Sequence, residues 1–198
     1  MTSLPNDVYL PETANHSSEN EILILTADGV EDLEFFYPYY RFIEAGFSVD
    51  VVTPEGKALK CKKGLGLKET MKISDVDAAD YKLLYIPGGK APAELKKRDD
   101  VIALTKQFYS LGKPISAICH GPQILAAAKI IAGRKIAAWP EVESEIREAD
   151  GIFVNKGTVI DGPFVTARWP GDLPAHLMAT LTMLSHISAM PEPRHVAA

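Results

Sequence analysis

Pro114-Ile-Ser-Ala-Ile-Cys-His-Gly-Pro122 joins a short apolar run to a helical pattern through a single cysteine, Cys119. Residues 114–118 read as a strand and 122–131 as a helix, with proline in its first turn and Gly133 just past its end, the usual asymmetry of helix termini. The same alternation extends in both directions. Residues 21–26, Glu-Ile-Leu-Ile-Leu-Thr, form an apolar run suited to a strand buried on both faces. Residues 31–45 have helical spacing, with Leu33, Phe36, Tyr37, Tyr40 and Ile43 on one side, and Gly46 ends them. Pro38 inside this segment predicts a kink or a late start. Further strands are expected at 48–53, 82–86 and 135–138, with turns and a small excursion over 56–70. Helices are expected at 99–110, 141–149 and 172–188, the last with Asp172 as N-cap. Short strands at 152–154, 158–161 and 164–167 suggest a hairpin leading into the sheet.

Alternating strands and helices imply an α/β fold, a mostly parallel central sheet with helices on both faces. The 198 residues suit one domain, here 21–188, between a polar extension at 1–20 and a tail at 189–198. With 46% hydrophobic and 24% charged residues, a full core is available. The net charge of −5 provides no basic footprint for nucleic acid and no polybasic run for an anionic membrane. No run of about 20 apolar residues is present to span a bilayer. Residues 1–20 lack a basic start and an apolar core, so they are not read as a secretory signal. Two cysteines in such a chain point to thiols in a reducing cytosol.

Ligands of parallel sheets sit beyond the carboxyl ends of the strands, which directs attention to three segments. At the first, Cys119 between strand and helix resembles a nucleophile elbow. The positive helix N-terminus predicts a thiol pKa below about 8.5, and His120 adjoins it as acid or base. A buried, inert cysteine is the alternative, and the better reading for Cys61. At the second, Pro87-Gly-Gly89 offers the N–H groups of Gly88 and Gly89 as an oxyanion hole, with that of His120 as a further donor. At the third, Glu31-Asp-Leu-Glu34 supplies carboxylates. Glu31 and Asp32 complement the helix dipole. Glu34 beside a thiolate would be raised in pKa and shuttle protons. Arg168 either grips an anion bidentately or holds the loop before the last helix. Tyr37, Tyr39 and Tyr40 read as core or interface. His16, His176, His186 and His195 show no metal-ligand spacing, and no dinucleotide-binding glycine loop is present.

Four ordered motifs together resemble the PfpI-like intracellular protease and protein deglycase family, within the glutamine-amidotransferase-like superfamily. They are Ala27-Asp-Gly-Val-Glu-Asp-Leu-Glu34 with Tyr37-Pro38, Pro87-Gly-Gly-Lys-Ala-Pro92, Ala117-Ile-Cys-His-Gly-Pro122, and Val165-Thr-Ala-Arg-Trp-Pro170 with Asp172-Leu-Pro174. The resemblance implies a flavodoxin-like three-layer sandwich and a homodimer or larger homo-oligomer, with Phe35 to Tyr40 as the candidate contact. It places the nucleophile on Cys119, its partner on His120 and the cysteine-contacting glutamate on Glu34. It implies no cofactor, no metal and a cytoplasmic location. Protease-like members carry a glutamate where Ala93 stands, and Glu94 is one place later. Trp139 stands where members place tyrosine or histidine, and would narrow the pocket. The expected activity is glyoxalase or deglycase chemistry on a small aldehyde or glycated substrate, methylglyoxal to lactate or its early adducts. The alternatives are a cysteine peptidase or amidase, and a non-catalytic redox-sensing or chaperone-like stress protein in which Cys119 oxidises.

Overall fold

The computed structural model describes residues 21–188. The expected polar extension and tail lie outside them. The strands are β1 (Glu21–Leu25), β2 (Ser48–Thr53), β3 (Leu59–Lys60), β4 (Gly66–Leu67), β5 (Met71–Lys72), β6 (Leu83–Ile86), β7 (Ile115–Ile118), β8 (Lys135–Ile136), β9 (Ile152–Phe153), β10 (Thr158–Asp161) and β11 (Phe164–Ala167). The helices are α1 (Asp32–Glu44), α2 (Ala91–Leu95), α3 (Asp99–Ser110), α4 (Pro122–Ala127), α5 (Glu143–Glu148) and α6 (Leu173–Ser188).

One seven-stranded sheet runs in the order β10-β11-β7-β6-β1-β2-β5, parallel except for the β10–β11 pair. The chain leaves β1 toward β2 in one direction and leaves β6 toward β7 in the other. Right-handed crossovers therefore place α1 and α3 on opposite faces of the sheet. The helices α1 and α6 pack together, as do α3 and α4, which gives the three-layer, flavodoxin-like sandwich. Every residue of β6 is fully buried, as a strand covered on both faces requires. The strand order reverses between β1 and β6, and a crevice forms at the carboxyl ends of strands at such a point.

Several elements depart from expectation. Residues 135–138 do not enter the main sheet; β8 pairs with β9 in a separate two-stranded ladder. The helix expected over 122–131 ends at Ala127, because Lys129 adopts a left-handed φ of 55°. Asp172 is no N-cap. It sits in a 3-10 turn and accepts hydrogen bonds from Arg168. In α1 the buried face is Phe35, Tyr39 and Phe42, while Leu33, Tyr37 and Tyr40 are exposed. The helix starts at Asp32 and continues through Pro38, so no late start occurs. Its N-terminus is capped by the Glu31 carboxylate, which accepts from the Glu34 N–H at 2.9 Å. Among the described residues no helix is long and apolar enough to cross a membrane.

Candidate active site

The turn after β7 forces Cys119 into a left-handed backbone conformation, φ 61°, which costs a non-glycine residue about 1–3 kcal/mol. Three bonds hold it there. The Cys119 N–H donates to the Ala167 carbonyl at 3.0 Å, its carbonyl accepts from the Trp139 N–H at 2.9 Å, and the Gly121 N–H closes the turn on the Ile118 carbonyl at 2.8 Å. A Cβ on Gly121 would collide with the Ile86 carbonyl oxygen, so glycine is what lets the elbow lie against β6. The elbow expected from sequence is present.

Around the sulfur the structure gathers Glu34 from α1, Gly88 and Gly89 from the loop after β6, and His120. The His120 Nδ1 is 3.2 Å from Cys119 Sγ. The N–H groups of Gly89 and His120 hydrogen-bond the sulfur, and the Glu34 carboxyl faces it. Glu34 is fully buried. Its Oε2 accepts from the Gly88 N–H at 2.8 Å, and its Oε1 has no hydrogen-bond partner. Burial pushes the Glu34 pKa up to about 7; the Gly88 bond and the Cys119 contact work against it, and the Glu31 charge adds to it.

The low thiol pKa expected from the helix terminus is not found. Burial, then the Glu34 charge and its hydrogen bond, push the Cys119 thiol up, and the Gly89 and His120 N–H groups offset only part of this. The helix that was to lower it, α4, has only six residues, and a carboxylate against the sulfur outweighs it. A thiolate here forms most readily when its proton has moved to Glu34, since the pair then keeps a single negative charge. Burial also lowers the pKa of His120, whose ring stacks at 6.2 Å on Trp139, with Trp169 edge-on beyond.

Other expected placements change. The Gly88 N–H is bonded to Glu34 and is not free for an oxyanion; Gly89 and His120 keep theirs at the sulfur. Arg168 forks onto Asp172 at 2.9 and 3.1 Å, donates to Asn155, and stacks on Trp169 at 4.0 Å. It therefore holds the loop before α6. Glu94 is turned to solvent and paired with Lys97 at 2.9 Å, which removes it from the pocket rim. Cys61 is buried, its thiol pushed up to about 12 by burial and by the carboxylates of Asp32, Asp28 and Glu31. Among the described residues no cluster of metal-ligating side chains occurs.

Some neighbours were not foreseen. Lys62, from the loop between β3 and β4, acts electrostatically on both Glu34 and His120. Gln123 and Lys96 both donate to Glu145, at 2.6 and 2.7 Å, beside His120. Gln123 follows Cys119 by four residues and lies in the first turn of α4, a nearness legible in the sequence. Lys62 had no such local sign.

The pattern of the DJ-1/PfpI family matches residues 20–183. The chain belongs to the DJ-1/PfpI family. A deglycase of Thermococcus kodakarensis is 35% identical over 164 residues, covering 83% of this chain and 99% of that one. Protein/nucleic acid deglycase 2 of Escherichia coli is 36% identical over 167 residues, covering 83% and 97%. The crystal structure of Drosophila melanogaster DJ-1beta superimposes with a TM-score of 0.77 at 25% identity, over 83% of this chain and 90% of that one. Family members with enzyme names thus span nearly their whole length on this chain.

Proposed function

We propose that this chain is a cysteine enzyme of glyoxalase or deglycase type, acting on small reactive carbonyls such as methylglyoxal or on their early adducts. The observation that carries the reading is the buried Glu34 carboxyl, with a pKa of about 7, held by Gly88 against the Cys119 sulfur. A group of that acidity gives and takes protons at neutral pH.

The thiol proton passes to Glu34, and the thiolate adds to the aldehyde carbon. The new oxyanion lies near the N–H groups of Gly89 and His120 and takes the proton back from Glu34, giving a hemithioacetal. The Glu34 carboxylate then removes the proton on that carbon. Glu34 returns that proton to the neighbouring carbon while the hydroxyl proton on the sulfur-bearing carbon shifts to the neighbouring oxygen, which leaves a lactoyl thioester by an internal redox exchange that needs no external oxidant. Water, activated through the neutral His120, releases lactate and restores the thiol. With an early adduct, a hemiaminal, Glu34 passes the thiol proton to the amine nitrogen, the C–N bond breaks as the C–S bond forms, and the free amine leaves behind the same hemithioacetal.

Lactate formation from methylglyoxal in amine-free buffer tests this. Steady lactate production above the buffer control is expected, with little cleavage of unstructured peptides. Low peptide cleavage follows because no carboxylate bonds the His120 ring among the described residues, Ala93 carries none, and Glu94 faces away. Rapid peptide cleavage with no lactate would put a peptidase in its place.

The exposed Leu33, Tyr37 and Tyr40 lie at i, i+4 and i+7 on α1, an apolar stripe of the kind that pairs helices. We extend the proposal to a homodimer or larger assembly through this stripe. Light scattering at micromolar concentration should give at least twice the mass of 21.6 kDa, and a monomer would refute it.

A further inference from the structure

Pro38 lies four residues after Glu34 within α1. In a helix the carbonyl of residue 34 accepts the N–H of residue 38, and proline has none. The Glu34 carbonyl is buried, where an unpaired acceptor is costly. The hydroxyl of Tyr85 fills the gap and donates to the Glu34 carbonyl at 3.2 Å. Tyr85 is fully buried in β6, three residues before Gly88, whose N–H holds the Glu34 carboxylate. Glu34 is thus fixed at both ends by one strand and its loop: main chain by Tyr85, side chain by Gly88.

We infer that Tyr85 is a positioning residue for Glu34, able to act because Pro38 leaves the Glu34 carbonyl open. The inference rests on Glu34 as the proton carrier to Cys119. Without the hydroxyl, the first turn of α1 loses its tie to β6, and the carboxyl no longer stays fixed between Gly88 and the sulfur. The other charged or titratable groups facing Glu34 are Glu31 on its own helix, Lys62 from the β3–β4 loop, and Cys119.

The test uses the full chain and three variants: Tyr85→Phe, Glu34→Gln, and Tyr85→Phe combined with Pro38→Ala. Phenylalanine keeps the ring contacts of residue 85 with Phe42 and His176, at 5.6 and 6.0 Å. Alanine at 38 restores the missing N–H, so the helix itself can satisfy the carbonyl. The primary readout is the pH dependence of Cys119 alkylation by iodoacetamide, followed by peptide mass. Because the Glu34 charge raises the thiol, Glu34→Gln should lower the midpoint. Tyr85→Phe should move it in the same direction, by about half a pH unit or more. Its kcat for methylglyoxal should fall about tenfold with little change in KM, as for a group acting in the chemical step. The double variant should return toward wild type in both. A Tyr85→Phe profile that superimposes on wild type, or a double variant no closer to wild type than Tyr85→Phe, overturns the inference. Absence of methylglyoxal turnover in wild type would remove the proposed function instead, and the alkylation profiles would still decide the role of Tyr85.

Discussion

Cys119→Ala should reduce methylglyoxal conversion by about 10⁴-fold or more, the loss expected when a covalent nucleophile is removed from a preformed site. The variant should fold as before. Alanine retains the Cβ, and the φ of 61° is enforced by the bonds to Ala167, Trp139 and Ile118 rather than by the sulfur. Loss of the thiol also removes the Cys119 contact that holds the Glu34 pKa down. Alkylation at position 119 should vanish with activity, and any that remains should fall on Cys61, which is buried away from Glu34 and His120. Kinetics and alkylated-peptide masses check both statements. Residual turnover above a tenth of wild type would assign the chemistry to another group.

Gly88→Ala should also be damaging, though less so, by a different route. A Cβ at this position would meet Glu34 Oε2 at 2.5 Å, Cys119 Cβ at 2.6 Å and the His120 nitrogen at 2.9 Å. These are the three components of the site; the Glu34 oxygen ends a side chain, but Cys119 Cβ and the His120 main-chain nitrogen cannot yield without moving the backbone. The methyl must push them apart, with an overpacking cost of about 1–3 kcal/mol. Displacement of about an ångström among reacting groups costs roughly 10²-fold in rate. Thermal unfolding and turnover together test this: a variant with wild-type melting and wild-type lactate production would mean that the loop after β6 yields without disturbing Glu34.

Much of the fold was legible because the deciding strands are apolar runs, and Cys119 announced itself between one of them and a proline-led helix. What sequence misplaced was decided by distant partners. In α1, aromatic residues occupy both sides of the helix, so periodicity alone favoured Leu33, Tyr37 and Tyr40 over Phe35, Tyr39 and Phe42; contact with the sheet selects the second set. The strand at 135–138 looked equal to the others, yet pairs only with β9. The thiol argument used a local helix terminus, whereas burial and Glu34, 85 positions earlier, set the direction. Gly88 was recognised as a donor, but spacing cannot say that the acceptor is Glu34. Arg168 was correctly seen as having two possible uses, and Asp172 four residues later takes it.

The buried Glu34 has one more consequence, for the balance between folding and reactivity. Its carboxyl stands at about 7 in the folded chain against an ordinary value of 4.5. The folded state therefore holds this proton more tightly than the unfolded chain does. That advantage is complete below pH 4.5, shrinks as the pH rises toward 7, and above 7 the group weighs against the folded state by about 3 kcal/mol. The protein is thus least helped by Glu34 in the alkaline range where the thiolate is easiest to form. Selection for robustness alone would replace this glutamate with a neutral side chain, so position 34 is where endurance and chemistry pull this sequence in opposite directions.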